Sequence, residues 1–296
     1  MKKARLIVPA YNEEKNIQLF YQEATPFLVY DDIEFDILFV NDGSKDNTLE
    51  EIKQLQTTHV PVHYISLSRN FGKEAAMHAG LVNSQDKDFI IIIDCDLQQP
   101  PSLIPEMIAC HKEGYKIVYT KSKTRDGEPR LRSFFATLFY KIYNVYTEKP
   151  LINGAKDYQL MDKQVVNAFI KIKDNNRFVK GIFTWVGFKR KCIEFEFIPR
   201  QHGKSSWSFY SLLKYAFNGM NLFSTILLVL PVTNFILGFL ILFTDFILYF
   251  TGVISLSIFI IALHLSFIML SLSIFSYVII YLLYQNNNNY KFQSRV

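Results

Sequence analysis

Charge is nearly absent from one long stretch of this 296-residue sequence: between Lys214 and Lys291 the only acidic or basic residue is Asp245. Apart from Lys291 and Arg295, every other charged residue lies in the first 214, at a density ordinary for a soluble domain. A uniformly soluble chain is therefore excluded. Cysteine is scarce as well. Cys95, Cys110 and Cys192 are odd in number and scattered, with neither zinc-site spacing nor a disulfide framework, which fits a reducing compartment. No basic run with interleaved aromatics is present and the net charge is only +5, so nucleic acid is not an expected partner. The N-terminal stretch MKKARLIVPAYNEE loses its apolar character at Asn12, Glu13 and Glu14, too early for the hydrophobic centre of a signal peptide. The front part is thus expected to stay in the cytosol.

What the charge-poor stretch holds is two apolar runs, 226–250 and 254–284, separated by a short break at Thr251 and Gly252. Each is long enough to cross a hydrocarbon core that takes about 20 helical residues. Arg200, Lys204 and Lys214 precede the pair, Lys291 and Arg295 follow it, and the loop between carries no basic residue. The positive-inside rule then puts both ends in the cytosol. The expected organisation is a cytosolic domain over 1–206, an amphipathic juxtamembrane helix over 207–225, two transmembrane helices over 226–284, and a cytosolic tail over 285–296. The expected location is the cytoplasmic membrane, crossed more than once. Inside the spans, Asp245 is expected to snorkel toward the outer interface and His264 to bond between the helices.

The first 206 residues alternate short β-like runs with helical patterns. Strands are expected at Arg5–Val8, Asp36–Asn41, His63–Leu67, Phe89–Ile93 and Ile117–Tyr119, with helices at Asn16–Phe27, Thr48–Leu55 and Gly72–Val82. That order predicts an α/β fold with a mostly parallel sheet covered on both faces, and such sheets bind ligands beyond the carboxyl ends of their strands. A further amphipathic pattern covers Leu131–Tyr146, which suits either the membrane interface or packing on the domain.

Polar residues cluster at those strand ends. The run Ile90–Ile93 delivers Asp94 and Asp96 two residues apart. Burying two carboxylates behind such a strand is costly unless a cation or polar ligand uses them. Hard divalent cations take oxygen ligands, commonly one or two carboxylates plus substrate phosphates, so the pair is expected to hold Mg²⁺ or Mn²⁺ against a diphosphate. Val40-Asn-Asp-Gly-Ser44 admits two readings equally: Asp42 accepts hydrogen bonds from a base or ribose, or the segment is a turn capping a helix at Asp46 or Asn47.

These segments, together with Val8–Glu14, Leu67–Ala76, Asp94–Gln98, Arg125–Glu128, Asp157–Leu160, Arg177–Gly187 and Arg200–Trp207, resemble the family 2 glycosyltransferases. More narrowly they resemble the polyprenyl-phosphate glycosyltransferases, the group of dolichyl-phosphate mannose synthase and the bactoprenol glucosyltransferases. The resemblance covers nearly the whole chain. It implies a nucleotide-sugar-binding domain of the type A glycosyltransferase fold, followed by the two-helix transmembrane hairpin. It implies that Pro9, Tyr11, Glu13 and Asp42 hold the nucleoside, that Asp94, Asp96 and Gln98 serve the sugar-diphosphate with its metal on Asp94 and Asp96, and that Asp157 acts with Asp96 in catalysis, as base. The Gln-x-x-Arg-Trp signature of processive polysaccharide synthases is missing, and Arg177–Gly181 stands in its place, which speaks for transfer of one sugar. The chain also departs from the group at Ser206, where a basic residue is frequent, and at Gln159, where Arg is frequent.

The implied reaction is an inverting transfer of one sugar, from UDP-glucose or UDP-N-acetylglucosamine, to undecaprenyl phosphate for cell-envelope glycosylation. The acceptor phosphate needs cations near the bilayer, and Arg200, Lys204, Arg130 and Arg132 are candidates, against simple membrane anchoring. A GDP-mannose-dependent synthase and a non-catalytic recruitment module are the alternatives. Expected partners are a nucleotide sugar, a polyprenyl phosphate and the bilayer, with assembly into a homo-oligomer left open.

Overall fold

The computed structural model describes residues 1–55, 59–123, 130–145, 147, 150–152, 154–172, 179–196, 198 and 226–293. The juxtamembrane helix expected over 207–225 lies outside these residues, as do Arg200, Lys204 and Arg125–Glu128.

The expected strands are all present: β1 (Lys2–Ala10), β2 (Ile33–Asn41), β3 (Val62–Ser66), β4 (Phe89–Ile92) and β5 (Ile117–Ser122). Between the early strands run α1 (Ile17–Ala24), α2 (Thr48–Gln54), α3 (Lys73–Val82) and α4 (Ile104–Lys112). Two strands escaped the sequence reading, β6 (Ala155–Asp162) and β7 (Arg190–Phe195). They complete a seven-stranded sheet in the order β3-β2-β1-β4-β6-β5-β7. The sheet is parallel except for β6, which runs antiparallel to both β4 and β5.

Successive side chains of a strand point to opposite faces, and both faces of this sheet are covered. Leu6, Val8, Phe39 and Ile91 pack on one side with Phe20 of α1 and Met107 of α4. Ile7, Val40, Ile90 and Ile92 pack on the other with Met77 and Leu81 of α3 and the helix α6 (Lys163–Ile170). This is why β1, β2 and β4 read as nearly unbroken apolar runs. The helix α5 (Arg130–Val145) fulfils the amphipathic pattern expected at Leu131–Tyr146. Its Tyr143 is buried in the second core, with Phe139 and Tyr140 packed against that core. The described part of α5 thus belongs to the domain. A short helix, α7 (Val179–Trp185), adds Ile182 and Phe183 to the same core.

One buried acid of the sheet is firmly paired. Asp36 sits opposite Arg5 in the β1–β2 register, with its side chain only 11% exposed. Arg5 Nη2 donates to Asp36 Oδ2 at 2.8 Å and Lys87 Nζ lies 2.8 Å from the same oxygen. Burial alone would raise this carboxyl's pKa, but the bonds from Arg5 and Lys87 win and hold it below its ordinary value. A depressed folded-state pKa contributes stability that is present above the unfolded value of about 3.9 and lost as pH falls through the folded one. Asp36→Asn, which removes the carboxylate shared by two largely buried cations, is expected to cost about 3 kcal/mol near neutral pH. Urea midpoints measured at falling pH below about 4 should show the gap between the variant and the parent chain closing, because the parent loses the same charge as pH falls through its depressed folded-state pKa.

The C-terminal part is a helical hairpin of α8 (Ile226–Phe250) and α9 (Leu256–Gln293). The turn between them uses Gly252 at φ +74°, a conformation open to glycine. The helix α8 ends where expected, whereas α9 starts two residues later than the expected span and continues through the asparagines. Both are long and apolar enough to cross a membrane, and little of their apolar surface is covered within the described residues. A cross-helix hydrogen bond joins them, Asn234 Nδ2 donating to Ser273 Oγ at 2.8 Å. Among the described residues His264 makes no cross-helix bond of the kind expected. Its Nδ1 lies 2.7 Å from the Ile260 carbonyl one turn back on the same helix. Asp245 is half-buried, and its Oδ2 is buried with no hydrogen-bond partner among the described residues.

Candidate functional site

The site is assembled at the carboxyl ends of β1, β2 and β4. The loops leaving β1 and β2 are knitted together by side chains bonding across to backbone. Asn12 N donates to Ser44 Oγ (3.0 Å), Lys45 N to Asn12 Oδ1 (2.8 Å), Glu13 N to Thr48 Oγ1 (2.8 Å) and Asn47 N to Glu14 Oε2 (3.0 Å). Asp46 caps α2, its Oδ1 accepting from Thr48 N at 3.1 Å. Asn12, at φ 55°, is one of two described non-glycine residues in the left-handed region. The other is Leu97, at φ 57° directly after Asp96. Backbone held this way on two neighbouring loops marks a shape kept for a purpose other than stability.

Asp42 organises the next loop. Its two carboxylate oxygens accept from the backbone N–H groups of Phe71 (2.8 Å) and Gly72 (2.9 Å). Burial raises its pKa against these two bonds. Gly43 follows at φ +63°, and a Cβ there would stand 2.3 Å from the Arg69 carbonyl carbon, so only glycine lets the two loops close. The Arg69 guanidinium lies 4.2 Å from the centre of the Phe71 ring. Beside these loops opens a cavity of about 470 Å³ lined by Asn41, Gly43, Ser44, Lys45, Ser68, Arg69 and Asn70, among others. Its size and polar lining suit a ligand of nucleoside class. Of the residues expected to hold a nucleoside, Tyr11 and Glu13 stand on the β1 loop and Asp42 at the end of β2. Pro9 is buried within β1. Asn16 Nδ2 donates to the Glu13 carboxylate.

The acidic cluster owes its geometry to the antiparallel strand. In the β4–β6 register Ile92 faces Gln159, and continuing it by two residues sets Asp94 opposite Asp157. Two acids 63 positions apart in sequence thus meet where β4 ends. Lys73, the first residue of α3, reaches into the gap between them. Its Nζ is 2.7 Å from Asp94 Oδ1 and 2.7 Å from Asp157 Oδ2. Burial works against its charge, but Asp157 and Asp94 together raise its pKa and keep it an ammonium. Asp94 has its own pKa raised, by burial first and by Asp96 and Asp157, against the pull of Lys73. The three side chains remain 24%, 23% and 21% exposed, so a ligand can reach them. Asp96, 6% exposed, accepts from Gln98 N at 3.2 Å.

Gln99 was not anticipated from the sequence. Its Nε2 donates to Asp94 Oδ2 at 3.4 Å, and its buried Oε1 has no hydrogen-bond partner among the described residues. Lys73 was not anticipated either. A lysine in the first turn of a helix opposes the helix dipole, and that misplacement was the available sign that it faces an anion.

The donor set fits a hard divalent cation held jointly by protein and substrate. Among the described residues no group of three His, Cys, Asp or Glu side chains comes together as a metal site. Asp94 and Asp96 offer carboxylate oxygens and Gln99 an unused amide oxygen beside them, which is the partial set that Mg²⁺ or Mn²⁺ completes with phosphate oxygens. Arg130 and Arg132 lie in the first turn of α5; their side chains, like Arg200 and Lys204, fall outside what is described.

A parallel sheet with one antiparallel strand, acids at the β4 end and a polar cavity beside β2 define a glycosyltransferase of the type A fold. Residues 6–171 match the model of glycosyl transferase family 2, and the chain belongs to that family. It is 40% identical over 215 residues to CsbB of Bacillus subtilis (strain 168), itself named only provisionally as a glycosyltransferase. That match covers 73% of this chain and 65% of the relative, so the matched part spans just under two thirds of CsbB. The prophage bactoprenol glucosyl transferase homolog of Escherichia coli (strain K12) is 36% identical over 223 residues, covering 75% of this chain and 72% of the relative. Among solved structures, glucosyl-3-phosphoglycerate synthase from Mycobacterium tuberculosis with Mn²⁺, UDP-glucose and phosphoglyceric acid is 15% identical. It covers 74% of this chain and 78% of that one, at a TM-score of 0.49.

Proposed function

We propose that this glycosyltransferase moves one sugar from a nucleotide diphosphate sugar to the phosphate of a polyprenyl phosphate, inverting the sugar at C1. The observation that carries the reading is the meeting of Asp94 and Asp157 at the end of β4, on the same edge of the sheet as the polar cavity at the ends of β2 and β3. Asp42, Tyr11 and Glu13 would position the nucleoside. Asp94 and Asp96 would hold Mg²⁺ or Mn²⁺ on the diphosphate, and when bound that cation stabilises negative charge on the departing group. The bond from C1 to the diphosphate breaks as the bond from C1 to the acceptor phosphate oxygen forms. Nucleoside diphosphate leaves with the electron pair.

Asp157 faces this centre across the β4–β6 register, where its carboxylate orients the acceptor and takes any residual proton. A phosphate monoester is already largely ionised near neutral pH, so positioning contributes more than deprotonation. Arg200, Lys204, Arg130 and Arg132 are the cations we assign to the acceptor phosphate. The relatives named for bactoprenol support an undecaprenyl acceptor, and the paired apolar helices support a membrane anchor with both ends cytosolic. UDP-glucose is the first donor to test, UDP-N-acetylglucosamine the second and GDP-mannose the third.

Membranes carrying the protein, given each radiolabelled donor with undecaprenyl phosphate and Mn²⁺, should form a chloroform-soluble labelled lipid with one of them. Loss of the product in EDTA and its return with Mn²⁺ are expected. No labelled lipid with any donor would remove the assignment and favour the non-catalytic recruitment role.

A further inference from the structure

We propose that Lys73 is a resident counter-cation that couples metal loading of the acidic cluster to the arrival of the donor's diphosphate. The inference rests on the reading of Asp94 and Asp96 as the metal-holding pair. The Lys73 ammonium is shared between Asp94 and Asp157, 2.7 Å from each. A divalent cation that takes Asp94 without a donor present removes one of two anionic partners from a largely buried ammonium, and a poorly paired buried charge is costly. It also brings two further positive charges against a third. A nucleoside diphosphate changes this balance. Its oxygens offer Lys73 a replacement partner and share the cation with Asp94 and Asp96.

Metal and donor therefore bind with positive coupling, and by linkage each tightens the other by the same factor. The placement of Lys73 agrees with this role. It opens α3 directly after Gly72, whose φ of 96° turns the chain into the helix, and a cation there does nothing for the helix itself. The loop before it is pinned at Phe71 and Gly72 by Asp42, the acid at the nucleoside end of the site. The loop that Asp42 pins thus leads directly into the counter-cation.

Mn²⁺ binding to the purified full-length protein in detergent, followed by electron paramagnetic resonance with and without UDP, tests this without requiring turnover. The parent protein should bind Mn²⁺ weakly alone and at least about tenfold more tightly with UDP. Lys73→Met should bind Mn²⁺ at least about tenfold more tightly than the parent in the absence of UDP and lose most of the UDP-dependent gain. Lys73→Arg, which keeps the cation, should behave as the parent does. Should thermal melting show Lys73→Met to be unfolded, Lys73→Gln is measured in its place with the same expectation. The proposal is overturned if the parent shows no coupling, or if the uncharged variant binds Mn²⁺ alone no better than the parent. An Asp96→Ala variant with intact UDP-dependent Mn²⁺ binding would instead overturn the metal reading of the acid pair, whatever the Lys73 variants do.

Discussion

Asp96→Ala is expected to lower the rate of sugar transfer by about 10³-fold while leaving the protein folded. A cation on the departing diphosphate accounts for several kcal/mol of transition-state stabilisation, and each 1.4 kcal/mol is a factor of ten in rate. Asp96 is one of the two carboxylates proposed to hold the cation, so its loss would leave Asp94, which Lys73 already occupies. The side chain accepts from Gln98 N in its own turn, and a melting temperature within a few degrees of the parent's is the check that the rate loss is not a loss of fold. Raising the Mn²⁺ concentration should recover part of the rate, because a weakened site fills at higher metal. Initial rates of labelled-lipid formation across a Mn²⁺ series measure both effects. A variant as active as the parent at every Mn²⁺ concentration would remove Asp96 from the metal site.

Asp157→Asn is the second large effect. The amide can still sit beside Lys73 in the same volume, so the fold and the nucleoside contacts near Asp42 stay in place. What disappears is the charge that the proposed mechanism sets beside the acceptor. General-base residues contribute roughly 10²- to 10⁴-fold. An acceptor that is already an anion needs the low end of that range, so a fall in kcat of about 10² is expected, with the donor KM changed by less than about threefold. A split in the opposite sense, with KM for the donor rising and kcat kept, would move Asp157 from the chemistry to donor binding.

The first half of the domain was legible because its strands are buried on both faces and therefore read as unbroken apolar runs with acids at their ends. Ile90–Ile93 followed by Asp94 and Asp96 is the clearest case. The strands β6 and β7 were not legible. Ala155–Asp162 (AKDYQLMD) and Arg190–Phe195 (RKCIEF) mix charged and apolar residues in no clean alternation, and the insertion of an antiparallel strand between β4 and β5 is decided by tertiary pairing. That pairing makes the site. Asp157 could be picked out by resemblance, but its meeting with Asp94 follows from the β4–β6 register, and Lys73 joins them across 84 residues of sequence.

Asp42 shows a different limit. The sequence allowed a base-binding acid or a turn. In the fold its oxygens hold the Phe71 and Gly72 amides, and each oxygen retains a lone pair. The hairpin was legible from its missing charge, whereas a bond that joins its helices was not: Asn234 and Ser273 make it, and His264 bonds within its own helix.

The most direct test of the central claim is the mass of the lipid product. Purified full-length protein in vesicles is given undecaprenyl phosphate, Mn²⁺ and the preferred nucleotide sugar, and the extracted lipid is weighed by mass spectrometry. The account predicts a lipid heavier by one sugar and no more, formed together with an equal amount of nucleoside diphosphate and absent in Asp96→Ala. Lipids carrying two or more sugars, or nucleoside diphosphate released with no change in the lipid's mass, would contradict it.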